Sequence, residues 1–448
     1  MEAQSARPDV AVVGGGLAGL TAACYLARAG VAVTVFEKAP ALGGRAATQD
    51  YEGYRFNRGV HALYSGGPAS AVLHELGIAY SYGRPGPVLT LDRGRWDLLP
   101  ASLSTLLRSG LLGVGDKVAL VRLLTTVSRL EARAYARMTV QEWLDRAIAR
   151  EPVRRVIAAV ARTLSYSAAL DLVSAELFLD RLQRSLRHPV HYVDGGWQSL
   201  VDALRQAAEA AGARTVTGAR VEAVEHAGDQ VAGVHLREGG LVRASTVIVA
   251  TTPAEAVRLV DGGAYPALRA TVDALVPARV ACLDVALRRL PNARHTVVQV
   301  VDRPLFLSTQ SAYANVAPPG AALVSTFKQL DPRQPSDADA DERELEGLLD
   351  AAQPGWRDVL VKRVYLPRIE AVGTLVTAAS GGFASRPGVP VPGLANLYLA
   401  GDWVGPEGFL ADASLASARQ AALLVRQTLS RVSVGDERGE LLASHTHS

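Results

Sequence analysis

The sequence predicts an α/β chain in two parts. One is a nucleotide-type domain on a parallel sheet, pieced together from separate segments; the other is an α+β domain with a mixed sheet and a helical insertion. Three observations point there. A strand, a glycine-rich turn, a helix and a second strand fill the first forty residues. Strand-and-helix segments of the same texture return further along, and the stretch from about 100 to 188 is spaced as helices.

The first unit opens with residues 9–13 (DVAVV), a short apolar run ended by glycines, which reads as a buried strand. Leu17, Leu20, Cys24 and Ala27 follow at helical spacing, and Gly30 is placed to stop that helix. Residues 31–36 form the next apolar, β-branched run and end at Glu37. Such a βαβ unit has parallel strands and a right-handed crossover. The stretch 10–27 is uncharged and approaches the length of a membrane span, but it contains four glycines, and a strand–turn–helix explains it better.

Further on, Leu103, Leu106, Leu107 and Leu111 recur at steps of three and four, as do Leu120, Leu123, Leu124 and Val127. Thr139 and Glu142 have the spacing of a capping box. A helix is expected over 198–211, then strands at 214–217, 220–225, 231–236 and 242–250. Residues 276–330 read mainly as strands and 331–350 as an acidic, solvated loop and helix. A last strand at 396–400 leads into a helix from about 410 to 430. The expected division is 1–90, 190–265 and 366–432 for the nucleotide-type domain, 91–189 and 266–365 for the second domain, and 433–448 for a polar tail.

Composition narrows the function. Of 448 residues, 49% are hydrophobic and 20% charged, which suits a folded chain rather than a disordered one. A net charge of +3 without Lys/Arg runs argues against nucleic acid as a partner. Two cysteines, Cys24 and Cys282, supply neither a disulfide framework nor a cysteine metal site, so no metal is expected and a reducing, cytoplasmic compartment is the default.

The chemistry-bearing signal is Gly14-Gly15-Gly16-Leu17-Ala18-Gly19, a G-x-G-x-x-G between a predicted strand and a predicted helix. Gly14 permits the tight turn, Gly16 lets a diphosphate approach the backbone, and Gly19 lets the helix pack closely on the sheet. The diphosphate then meets the helix N-terminus, where free N–H groups favour negative charge. Glu37, at the tip of the second strand, suits ribose hydroxyls and disfavours a 2′-phosphate. Together these features make a Rossmann-type site for an adenine dinucleotide.

Residues 9–48 (DVAVVGGGLAGLTAACYLARAGVAVTVFEKAPALGGRAAT) resemble the N-terminus of the flavin-containing amine oxidase and phytoene desaturase superfamily. The stretch NLYLAGDWVGPEGFLADASLASARQAA resembles its C-terminal cofactor segment, and residues 191–254 its middle one. This resemblance implies non-covalent FAD as the cofactor. It places Lys38 beside Glu37, implies that Gly43 and Gly44 let the backbone run along the cofactor, and has Arg45 face the diphosphate. It implies that Val221 brackets the adenine, that Asp402 after Gly401 bonds the ribityl or diphosphate portion, and that Phe409, Leu410 and Ala411 lie at the flavin edge. His61 matches a position beside the flavin ring, as active-site lining with acid–base work or as a histidine bonded to backbone; it is the candidate catalytic residue. Trp403 and Phe409 are expected to wall the flavin or the substrate. Many amine oxidases carry a lysine near the flavin, and by strand position Ala281 stands there, which leans towards the phytoene-dehydrogenase-like branch. The implied activity is an FAD-dependent oxidoreductase taking hydride from a fairly hydrophobic small molecule, by amine oxidation or desaturation, in a setting such as secondary metabolism. The electrons leave to dioxygen or an external acceptor; contact with a membrane surface and a homodimer stay open. A redox-neutral isomerase or a non-catalytic FAD-binding protein is the alternative of a different class.

Overall fold

The computed structural model describes residues 9–444, with side chains through residue 430. Five parallel strands form the nucleotide-type sheet: β1 (Val10–Val13), β2 (Val33–Phe36), β3 (Arg214–Val216), β4 (Thr246–Val249) and β5 (Leu397–Leu399), in the order β3-β2-β1-β4-β5. Every residue of β1, β2 and β4 is buried, as expected for a parallel sheet covered on both faces. Helix α1 (Leu17–Arg28) packs against the helices Gln198–Ala210 and Ala411–Ser444, so three distant segments share one core.

The run 242–250, expected as one strand, is two. Gly240–Arg243 is the edge of a three-stranded antiparallel sheet with Val221–Ala227 and Gln230–Leu236, and β4 begins three residues later in the parallel sheet. The chain changes sheet at Ala244–Ser245, and a continuous apolar run hides that break.

The second large sheet is mixed and seven-stranded. Its order is Leu360–Val372, Ala278–Leu287, Ala322–Gln329, Leu305–Thr309, Val297–Val300, Leu89–Asp92 and Arg95–Leu98. Only Val297–Val300 and Leu89–Asp92 pair in parallel. Helix Ala338–Ala352 covers one face of this sheet, with Leu345, Leu348 and Leu349 fully buried against Ala281, Leu283 and Val285. The segment expected as solvated is therefore amphipathic. Asp339 and Asp350 face outward, Asp341 is buried on Lys328 of the sheet, and three leucines at helical spacing hold the helix in place. The alternate residues of the same strand, Val280 and Cys282, face the opposite way with Phe327.

The helical insertion comprises five helices between Leu103 and Arg187. The Thr139–Glu142 capping box is present, each side chain bonding the other residue's backbone N–H, at 3.1 and 2.9 Å. The final helix runs on through Ser444, into the segment expected as a separate polar tail; residues 1–8 and 445–448 lie outside the described residues. Among the described residues no helix is long and apolar enough to cross a membrane, and 10–27 is β1 and α1.

The glycine turn is fixed by packing. A β-carbon on Gly19 would lie 1.9 Å from the Gly14 carbonyl oxygen. Gly19→Ala therefore pushes α1 off the sheet at a cost of about 1–3 kcal/mol, which thermal denaturation should read as a lower melting temperature; an unchanged melting temperature contradicts this packing.

Candidate functional site

A cavity of about 600 Å³ opens where the carboxyl ends of β1, β2 and β4 face the mixed sheet. That position is where open parallel sheets receive ligands. Gly14, at φ +108°, turns the chain out of β1, and a β-carbon there would lie 2.5 Å from the Ala250 carbonyl oxygen. At Gly16 the nearest atom to such a β-carbon is 3.8 Å away, so the backbone is open to the cavity. Gly16 is the N-cap of α1, without a side-chain cap and without an acid in the first turn. The N–H groups that capping would occupy remain available to an anion.

Glu37 lines the same end and accepts the N–H groups of Gly15 and Ala39, both at 2.8 Å. Each carboxylate oxygen keeps a further acceptor position for a hydroxyl. Lys38 also lines the cavity but leans to Glu255 at 3.5 Å. Val221, Gly43, Gly44, Leu17 and Ala18 are in the lining; Gly19 is behind it, against Gly14.

Arg45, expected to face a diphosphate, forks onto Asp402 with contacts of 2.7 and 2.5 Å. Asp402 also accepts the Gly373 N–H at 2.9 Å. Both partners line the cavity, and the Arg45 side chain is still 43% accessible. Glu370 stands beside them, its carboxyl pushed up by burial and pulled down by Arg45, with Oε1 lacking a partner among the described residues.

His61 lines the cavity with Nδ1 3.2 Å from the Gly59 carbonyl oxygen and Nε2 3.2 Å from that of Arg45. Its ring meets Trp197 edge-on at 5.1 Å. Burial, helped by the charges of Arg45 and Arg58, holds its pKa below the usual histidine value. A neutral ring can donate to only one of the two carbonyls, so uptake of a proton adds the second hydrogen bond.

Phe409, Leu410 and Ala411 line the cavity at the start of the last helix, with Leu410 at φ +58°. Gly401, at φ +156°, lines it too. Trp403 does not. It is fully buried behind the wall, its indole N–H donating to the Thr251 carbonyl at 3.0 Å, so it is a core residue rather than a substrate contact. Ala281 is likewise misplaced, since strand alternation turns it towards helix Ala338–Ala352 and leaves Val280 and Cys282 at the cavity. Lys328 holds Asp341 and Glu344, at 2.8 and 2.6 Å, and is not in the lining.

Three sets of residues were not foreseen. Arg386, buried, donates to the Asp402 and Gly408 carbonyls at 3.2 and 2.9 Å and so fixes the turn before the last helix. Tyr166, at φ +56°, ends the helix Glu151–Ser165 and stacks on Phe327 at 5.7 Å and 9° between planes; burial pushes its phenol well up, so it stays a neutral donor. With Tyr64, Val280, Cys282, Ile369 and Phe409 these rings form an apolar chamber. Behind Tyr64 lies the buried Arg181 guanidinium, 3.6 Å from the ring. Asp284 accepts the Gly59 N–H at 3.0 Å and thereby holds the loop that carries His61; Oδ1 has no partner among the described residues. A lone aspartate inside the apolar strand VACLDVAL was the available signal.

Comparison with known proteins fixes the family. The family model for flavin-containing amine oxidoreductases matches residues 17–425. The chain belongs to that family. A carotenoid 3,4-desaturase of Haloarcula japonica is 57% identical over 51 residues, 11% of this chain and 10% of the relative. The matched stretch thus spans about a tenth of that relative's length. A 4,4′-diapolycopen-4-al dehydrogenase of Metabacillus indicus is 22% identical across 89% of this chain and 93% of its own. The solved structure of an oxidoreductase from Methanosarcina mazei shares the fold, with a TM-score of 0.73 at 21% identity over 92% of this chain and 99% of its own. FAD is the cofactor this family membership implies, and the uncapped helix, the open Gly16 backbone and the unpartnered Glu370 oxygen fit it.

Asp284 gives the site a pH signature. Burial raises its carboxyl from 3.8 to about 6. The neutral acid therefore favours the fold fully below about pH 4, and that contribution is lost as pH rises through about 6. Asp284→Asn keeps an acceptor for Gly59 and removes the charge. Variant and wild type should melt alike near pH 4, and the variant should be the more stable at pH 7, by up to about 3 kcal/mol. A wild type at least as stable as the variant at pH 7 contradicts the assignment.

Proposed function

We propose that the chain is an FAD-dependent oxidoreductase that desaturates an apolar, uncharged small molecule. The observation that carries this reading is the chamber of Tyr64, Tyr166, Val280, Cys282, Phe327, Ile369 and Phe409, which holds no lysine and has the Arg181 guanidinium stacked 3.6 Å behind Tyr64. An ammonium placed there would lose its water, which is unfavourable, and Asp412, a buried carboxylate of the lining, is already matched by Arg181 at 4.0 Å. The name of one relative, a carotenoid 3,4-desaturase matched over 11% of this chain, supports the same direction.

In this reading Gly16, Leu17 and Ala18 would hold the diphosphate, Glu37 the ribose and Val221 the adenine, and the Arg45–Asp402 pair would flank the linking portion. Bound FAD supplies a two-electron acceptor for a substrate C–H hydride. With a proton lost to solvent from the neighbouring carbon, the product would be the alkene, and dioxygen or an external acceptor would be the electron sink. His61, neutral and with its two ring nitrogens on the Gly59 and Arg45 carbonyls, holds those two stretches of backbone at the cavity wall. Leu410 and Ala411, at a helix N-terminus, favour negative charge at the cofactor's edge. The rings of Tyr166, Phe327 and Phe409 orient the substrate and exclude water.

Anaerobic mixing tests this directly. Acyclic isoprenoids in detergent should bleach the flavin band at about 450 nm, and benzylamine should leave it unchanged. Bleaching by benzylamine with none by the isoprenoids would overturn the reading in favour of amine oxidation, and new product without bleaching would overturn it in favour of isomerisation.

A further inference from the structure

Helices Leu103–Arg108 and Val114–Val127 carry large apolar side chains into water. Leu103, Leu107 and Val114 are 72%, 71% and 82% exposed, and Val118 and Val121 are each nearly half exposed. The two helices are well anchored from beneath, since Leu106, Leu120 and Val127 are buried in the core. On the longer helix Val114, Val118 and Val121 follow at i, i+4 and i+7, one stripe along the outer face. Thr125 continues the stripe and turns its hydroxyl back to the Val121 carbonyl at 2.9 Å, so the outer face offers little hydrogen-bonding capacity.

Charge along the two helices is mostly of one sign, with the acids Asp97, which accepts the Gly110 N–H at 3.0 Å, and Glu131 just outside them. Between residues 98 and 130 the cations are Arg108, Lys117, Arg122 and Arg129, and the only acid is Asp116. Asp116 is already held by Arg150 at 3.0 Å, while Lys117 reaches the Leu107 carbonyl at 3.4 Å and ties the two helices together. Arg108, Arg122 and Arg129 are exposed at the rim.

We propose that this face docks on the surface of an anionic lipid bilayer. The leucines and valines enter the boundary between headgroups and acyl chains, and the rim arginines meet lipid phosphates. A second copy of the chain is the wrong occupant, because pairing this face with itself would bring its cations against one another. The inference does not rest on the reaction proposed above.

Sedimentation of the FAD-loaded protein with vesicles tests it. The protein should pellet with phosphatidylcholine–phosphatidylglycerol vesicles, much less with phosphatidylcholine alone, and less as salt rises. A variant with Leu103→Ser, Leu107→Ser, Val114→Ser and Val118→Ser should bind roughly tenfold more weakly or worse. Arg108→Glu with Arg122→Glu should lose on the order of tenfold as well. All six positions are exposed, so both variants should keep the wild-type flavin content and melting temperature. No binding by the wild type, binding indifferent to lipid charge, undiminished binding by the folded serine variant, or a dimer in gel filtration that the serine variant dissolves would each overturn the proposal.

Discussion

Arg45 and Asp402 lie 357 residues apart and meet in a two-pronged ion pair at the wall of the cavity. The rest of the site depends on that meeting. Arg45 ends the glycine-rich segment that leaves β2, and Asp402 begins the turn that starts the last helix. Asp402 also fixes the chain leaving the mixed sheet, through the Gly373 N–H, and its own carbonyl is held by Arg386. One carboxylate group thereby registers three segments of backbone around one space. Loss of Arg45 would leave the buried Asp402 charge without its match, the costly case for an ion pair, whereas Arg45 itself keeps access to the open cavity.

The two ends of the cavity differ in kind. At the parallel sheet the groups presented are backbone N–H donors, a carboxylate and a matched charge pair, suited to a polar, anionic ligand portion. At the mixed sheet the groups are aromatic and aliphatic, and the strand that separates them from helix Ala338–Ala352 shows the cavity only its Val280–Cys282 face. His61 stands between the two ends, its ring set between two carbonyl oxygens on a loop tied down by Asp284. Within one cavity a titratable ring thus borders an apolar chamber.

Much of this was legible in the sequence because it is local. The turn from Gly14 to Gly19, the acid at Glu37 and the segment from Gly401 to Ala411 each announce themselves by spacing within a single strand–turn–helix. What was missed is set by tertiary placement. Ala281 and Cys282 are adjacent, and only the pairing of Ala278–Leu287 with its neighbours decides which of them reaches the cavity. Trp403 sits one residue from Asp402 yet turns into the core to serve the Thr251 carbonyl. Arg386, Tyr166 and Arg181 belong to no motif, and their positions follow from packing between elements far apart in sequence. Helix Ala338–Ala352 lies where a loop and helix were expected, but its burial was missed because its acids dominate the composition while three leucines determine its place.

The central claim is that one cavity, closed by Arg45 and Asp402, holds one FAD without a covalent bond. Acid precipitation of the purified protein, followed by chromatography of the supernatant, measures this most directly. The account predicts one FAD per chain, all of it released, with a colourless pellet. A colourless native protein, a nicotinamide nucleotide in place of the flavin, or a yellow pellet that retains the cofactor would contradict it.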